Sequence, residues 1–186
     1  MKFENIAGSK DLILYKPLIF KDSRGSFVEK FSTKIFQEST GKNIEFIQVN
    51  ESLSCLNVLR GLHYQLSKPQ GKLVTVISGR VLDVAVDLRT FSSTYGQAFC
   101  IELNSSSKHS LWIPRGYAHG FLSLSEEVIF SYMVDNIYDP PSEHTLLWSD
   151  SFLDINWQTS NPSISKKDSE GKLFEDTPKF NLPLYS

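Results

Sequence analysis

The run Arg60-Gly61-Leu62-His63-Tyr64-Gln65, followed by Gln70-Gly71-Lys72-Leu73, places a guanidinium, an imidazole, a phenol and an ammonium within thirteen positions of an otherwise apolar, strand-like region. Polar groups in such a region need partners or a cavity. An Arg and a Lys beside a His suit an anionic substrate that undergoes proton transfer. A neutral imidazole, with an ordinary pKa of about 6.5, is the natural general base at neutral pH. Strict alternation along a strand puts Arg60 and His63 on opposite faces. The two share a pocket only if Gly61 permits a bulge, or one of them serves a neighbouring site.

The chain has four histidines, His63, His109, His119 and His144. Metal-binding barrels of the cupin type carry two histidines separated by one residue and a Glu a few positions later. His63 has no His at either i±2 position, so no metal is expected. His119 follows Ala118 in a Gly- and aromatic-rich stretch that reads as a turn, in a structural or supporting place. Tyr132 shares strand parity with Val128, Phe130 and Val134, as a core aromatic whose hydroxyl needs a partner. Asp168 follows Lys166 and Lys167, a charge run that taken alone is surface.

These groups must be positioned by strands. Residues 12–20 read as an extended strand interrupted by Pro17, which marks either an edge strand or a bend, and Asp22-Ser23-Arg24-Gly25 as a turn. Ser26 to Phe31 alternates, placing Glu29 with Phe27 and Phe31, at a rim or in a pocket. Residues 32–40 are the helix candidate, with Ser32 to cap it and Gly41 to end it. Residues 44–50 return to strand, with Gln48 and Asn50 facing either a cleft or solvent. Leu56–Tyr64 is strand-like. Leu73–Ile77 and Val81–Leu88 read as a hairpin turning at Ser78-Gly79. Asp83 and Asp87 share one face of the second of these, either functional or solvated. Further strands are expected at 97–103, 110–113, 118–124 and 127–134.

Seven to nine short strands spaced by Gly, Pro and Ser turns predict an all-β sandwich or barrel, with a double-sheet jelly roll as the favoured variety. One domain is expected over 1–186. Its β core spans about 12–138, and a C-terminal segment of short helices and loops, about 139–186, packs Trp148, Phe152, Trp157, Phe174 and Phe180 onto it. The net charge of -2 and the lack of a basic tail disfavour nucleic acid. No apolar run is long enough to span a bilayer and the start lacks a signal core, so a cytoplasmic protein is expected. Cys55 and Cys100 are expected as reduced core residues.

Several blocks together resemble one family. They are Asp22-x-Arg24-Gly25-x-Phe27-x-Glu29, Asn57-Val58-Leu59-Arg60-Gly61-Leu62-His63-Tyr64-Gln65, Gln70-Gly71-Lys72-Leu73-Val74, Asp83-Val84-Ala85-Val86-Asp87-Leu88-Arg89, and Leu111-Trp112-Ile113-Pro114-x-Gly116-x-Ala118-His119-Gly120-Phe121. The chain resembles the dTDP-4-dehydrorhamnose 3,5-epimerases, of the RmlC-like group of cupins, from about residue 12 to 175. The resemblance implies a cofactor-independent epimerase that inverts C3 and C5 of a dTDP-linked 4-keto sugar on the way to L-rhamnose. It implies His63 as the base, Asp168 as its support, Tyr132 as the acid on the opposite face and Lys72 at the enolate oxygen. It implies diphosphate contacts at Arg60, Lys167 and Arg24, nucleotide or substrate contacts at Phe27, Glu29, Gln48, Asn50 and His119, and base stacking at Tyr138. It also implies a homodimer that exchanges an N-terminal strand, with residues 12–20 as the counterpart. Glu51, Met133 and Gln158 depart from the family pattern, at positions without a catalytic group. The competing readings are a C3-only epimerase, an epimerase of another nucleotide sugar, a non-catalytic nucleotide-sugar-binding cupin and a metal-dependent cupin.

Overall fold

The computed structural model describes residues 1–181; the last five positions of the expected C-terminal segment lie outside the described residues. In chain order the elements are β1 (Lys2–Asn5), β2 (Ile13–Lys16), β3 (Ile19–Asp22), β4 (Gly25–Val28), α1 (Thr33–Thr40), β5 (Gln48–Cys55), β6 (Leu59–Gln65), β7 (Lys72–Ser78), β8 (Arg80–Asp87), β9 (Ala98–Asn104), β10 (Ser110–Ile113), β11 (Tyr117–Ser123), β12 (Glu127–Val134), β13 (Glu143–Thr145) and α2 (Lys166–Ser169). Two antiparallel sheets face each other, in the orders β1-β2-β10-β7-β12-β5 and β13-β6-β11-β8-β9. This is the jelly-roll sandwich expected from the strand spacing. A third, two-stranded sheet, β3-β4, stands apart. Among the described residues no helix is long and apolar enough to cross a membrane.

Alternation on β8 shows how the layers are held. Val81 and Ala85 enter the core between the sheets, beside Val74, Phe121 and Phe130. Leu82, Val84, Val86 and Leu88 enter a second core, against Trp157, Phe174 and Phe180 of the C-terminal segment. The strand is therefore buried on both faces, which is why it reads as a nearly continuous apolar run. Asp83 and Asp87 are both fully buried, so the solvated reading of these carboxylates is overturned.

Strands β7 and β8 do not form the expected hairpin. They belong to different sheets, and the turn at Gly79 carries the chain across the sandwich. Local turn chemistry at Ser78-Gly79 is the same for a hairpin as for a sheet-crossing corner. Of the two readings of residues 12–20, the bend at Pro17 is the one observed, not an edge strand. Ile13–Lys16 lies inside its sheet, paired with β1 and β10, and beyond Pro17 the chain enters the β3-β4 hairpin. The strand expected from residue 44 begins at Gln48, because Ile44 and Phe46 turn in against Phe36 and Trp112 instead.

Helix α1 begins after Ser32, buries Phe36 and ends at a left-handed Gly41, whose N–H bonds Gln37. Cys55 and Cys100 are free but exposed rather than core residues. The C-terminal segment contributes the unexpected short strand β13, which pairs with β6. Phe152 also departs from expectation: it is exposed, although its ring stacks on Phe174.

Candidate active site

The site is built on an irregularity in β6. His63 pairs with His119 of β11, and Arg60 pairs with Phe121, so three steps on β6 match two on β11. The extra residue is a β-bulge, located at Gly61, which has φ +121° and precedes a cis peptide bond to Leu62. Beyond the bulge the parity reverses. Leu59, Leu62 and Tyr64 share the second core, while Arg60 and His63 line one cavity. The conflict between Arg60 and His63 is thus resolved by the glycine between them. Only a glycine fits here: a Cβ on Gly61 would lie 2.5 Å from Gly120 Cα and 2.7 Å from His119 O.

The cavity, of about 450 Å³, opens between the sheets. Arg60 and His63 of β6 and His119 of β11 form one wall. Lys72 of β7 and Tyr132 of β12 form the other, and Lys167 and Asp168 of α2 close one side. An adjoining space of about 320 Å³ shares His63, Lys72 and Tyr132, and adds Gln48, Asn50, Tyr138 and Glu143. The two form one cleft.

Asp168 is the buried partner of His63, with Nε2 and Oδ1 2.6 Å apart. Ser165, the N-cap of α2, accepts the Asp168 N–H, and the second carboxylate oxygen accepts from Gly61 N at 3.4 Å. Burial alone raises the Asp168 pKa, but the bonds from His63, Gly61 and Ser165 outweigh it and hold the carboxyl below its ordinary range. Ionised Asp168 accepts from Nε2–H, which leaves Nδ1 of His63 with the free lone pair.

Lys72 is half-buried, and desolvation brings its pKa down to about 8, opposed by the carboxylates of Glu143 and Asp83. It is therefore still mostly charged at neutral pH and responsive to its neighbours. Tyr132 is raised by burial, against the Arg60 charge, so the phenol is protonated and fit to donate. His119, on strand β11 rather than in a turn, donates its Nε2–H to Asp83 Oδ2 over 2.9 Å, and burial lowers its pKa. Arg60 is steadied by Ser54 Oγ at 3.0 Å and Leu53 O at 3.2 Å, both on β5.

Glu143 escaped the sequence reading. Its Oε2 accepts from Tyr138 OH at 2.8 Å and pairs with Lys167 Nζ at 2.5 Å. Burial raises its pKa, but these two donors bring it below the ordinary value. The one signal for it was a carboxylate just after Asp139-Pro140-Pro141, within reach of Tyr138. Three expected residues are not in the cleft. Arg24 and Phe27 lie on the separate β3-β4 hairpin and Glu29 just after it. All three are exposed, Phe27 by 69%, and Arg24 pairs with Asp22 at 2.7 Å. Among the described residues no group of three or more His, Cys, Asp or Glu side chains is placed to hold a metal ion.

The arrangement sets an oriented imidazole and a protonated phenol on opposing walls, with an ammonium beside both. It can take a proton from one face of a bound carbon acid and return one to the other. Comparison with known proteins agrees. The family model described as dTDP-4-dehydrorhamnose 3,5-epimerase matches residues 8–176. A dTDP-4-dehydrorhamnose 3,5-epimerase of Shigella flexneri is 46% identical over 171 residues, 91% of this chain and 94% of that protein. The crystal structure of such an epimerase from Elizabethkingia anophelis superposes with a TM-score of 0.90 at 44% identity, covering 95% of this chain and 97% of that one. The Legionella pneumophila enzyme, crystallised with dTDP-4-keto-L-rhamnose, gives a TM-score of 0.93 at 37% identity over 98% and 100% of the two chains. With its jelly-roll fold and its His63–Asp168 pair facing Tyr132, the chain belongs to the dTDP-4-dehydrorhamnose 3,5-epimerase family.

Proposed function

We propose that this enzyme converts dTDP-4-dehydro-6-deoxy-D-glucose to dTDP-4-dehydro-L-rhamnose by inverting C3 and C5. The observation that carries the reading is the placement of His63–Asp168 and of Tyr132 with Lys72 on opposing walls of one cleft. The C4 ketone acidifies the hydrogens on both neighbouring carbons. Nδ1 of His63 takes the proton, and the electron pair moves onto the C4 oxygen. The Lys72 ammonium stabilises the resulting enolate. Tyr132 then protonates the carbon from the other face, which inverts it, and solvent restores the phenol and the imidazole. Asp168 fixes the tautomer of His63 throughout. General acid–base groups in such roles contribute about 10²–10⁴-fold each, and the chain's own residues complete the cycle without a redox step.

Arg60 and Lys167, at the open side of the cleft, are assigned to the diphosphate. Gln48, Asn50 and Tyr138, in the adjoining space, are assigned to the nucleoside, and His119 to the sugar. Incubation with dTDP-4-dehydro-6-deoxy-D-glucose tests the reading. The proton NMR spectrum of the product should show the L-rhamno configuration, and His63→Ala should give none. Near-normal turnover by His63→Ala would overturn the assignment of the base.

The working unit is proposed to be a homodimer. The β3-β4 hairpin presents Arg24, Phe27 and then Glu29 to solvent, away from the chain's own cleft. These are the residues the family resemblance assigns to the nucleotide, so the hairpin is assigned to the cleft of a second copy. Val49 and Leu53, exposed on edge strand β5, supply apolar area for such a contact.

A further inference from the structure

Asp83 lies at the middle of β8, fully buried, and nothing in the mechanism above uses it. The strand's other carboxylate, Asp87, is explained by Arg89, which donates to both of its oxygens at 2.8 and 2.7 Å, and by Thr94 Oγ1 at 2.7 Å. Among the described residues Asp83 has no cation in hydrogen-bond contact. Its Oδ2 meets His119 Nε2 at 2.9 Å, and its Oδ1 has no hydrogen-bond partner among the described residues. A buried carboxylate with one oxygen unbonded is costly unless a nearby charge compensates it.

The candidate is Lys72, which lines the same cavity as His119 and on whose charge the Asp83 carboxylate acts through space. The groups facing it are Glu143 from β13, Asp83 from β8, His119 from β11, His63 from β6 and Tyr132 from β12. Two of these are carboxylates, and Glu143 already serves Tyr138 and Lys167. We propose that Asp83 is a positioning residue for the epimerisation, a single carboxylate that fixes His119 against the cleft and keeps the Lys72 ammonium charged for the enolate. His119 is neutral and gives its Nε2–H to Asp83, so its Nδ1 is left as an acceptor. An acceptor there suits a sugar hydroxyl. The inference rests on the function proposed above for the catalytic consequence, but not for the electrostatic one.

The test is the titration of Lys72 in the substrate-free protein, followed by NMR on chain labelled with ¹³C at lysine Cε and assigned with Lys72→Arg. The wild-type midpoint is expected near pH 8. In Asp83→Asn it should fall by about one unit, the loss of one close opposite charge. Asp83→Ser, which leaves room for a water, guards against a folding defect in the first variant and should show the same fall. Asp87→Asn removes a carboxylate from the same strand and should lower thermal stability without moving the Lys72 midpoint. Retained dTDP affinity, within about twofold, shows that the Asp83 variants are folded, since Asp83 does not face the nucleotide end. With the sugar substrate, the alkaline limb of the rate profile should move down in step with the Lys72 midpoint. The inference is overturned if Lys72 titrates in both Asp83 variants as in wild type, or if Asp87→Asn moves it equally. A wild-type chain inert towards the sugar would refute the proposed function instead, and the titration would still decide the role of Asp83.

Discussion

Asp168→Asn removes a charge but hardly any volume, so it isolates the part of the mechanism that depends on tautomer. In the wild type the ionised carboxylate can only accept, and the 2.6 Å contact therefore places the proton on Nε2 of His63. An asparagine can turn its NH₂ towards Nε2, which moves the imidazole proton to Nδ1 and blocks the base. Exchange of an aspartate for asparagine behind a catalytic histidine costs about 10⁴-fold in serine proteases through the wrong tautomer. The same fault here predicts a fall in turnover of about 10³–10⁴-fold, or about 4–5.5 kcal/mol of barrier. Stability should also drop, by about 1–3 kcal/mol, because the charge-assisted bonds from His63 and Gly61 N are weakened. The carboxyl's pKa is held below its unfolded value. Its stabilising contribution is therefore present above the ordinary carboxylate range and is lost as pH falls through the folded value. Asp168→Asn should flatten that acid-side loss. Thermal unfolding at pH 3 and 7 reads the stability, and single-turnover NMR reads the chemistry. A folded Asp168→Asn protein that keeps a tenth or more of wild-type turnover would refute the tautomer argument.

Gly61→Ala puts a Cβ within 2.5 Å of Gly120 Cα at a positive φ. It should cost about 2–4 kcal/mol in denaturant unfolding and separate Arg60 from His63; an unchanged midpoint would show that the close approach relaxes freely. Turnover should fall as pH rises through about 8, where Lys72 loses its charge, and a rate profile flat to pH 10 would remove Lys72 from the enolate. Mixed and refolded Arg24→Ala and His63→Ala chains should recover about a quarter of wild-type activity if each hairpin serves its partner's cleft. No recovery by a mixture that sediments as dimers would place the hairpin elsewhere.

The sandwich was readable because strand parity and turn spacing are local. Val81 to Leu88 alternates between two cores, and the alternation is visible in the order of residues alone. The crossing at Gly79 was not readable, since the sheet that receives a strand is decided by pairings with β11 and β12, some thirty to sixty residues away in the chain. Arg60 and His63 illustrate the middle ground. Alternation separated them, a glycine marked where that rule could fail, and only the register with His119 and Phe121 shows that it does. His63 and Lys72 stood out in the local sequence as a base and a cation, Tyr132 and Asp168 were added only by the family resemblance, and the fold gathers all four into one cleft. Glu143 was missed because its importance comes from Tyr138 and Lys167 meeting over it, a contact between segments with no common motif. The exposed cysteines were misread for a related reason: residue type predicts burial only on average.

Solvent exchange in deuterium oxide measures the central claim most directly. With dTDP-4-dehydro-6-deoxy-D-glucose as substrate, mass and proton NMR spectra report which sugar carbons have traded hydrogen with solvent. One base and one acid on opposing walls, serving both carbons beside the ketone, predict deuterium at C3 and at C5 in the product, and at neither carbon with His63→Ala. Deuterium confined to C3, or label at both carbons with His63→Ala, would contradict the account.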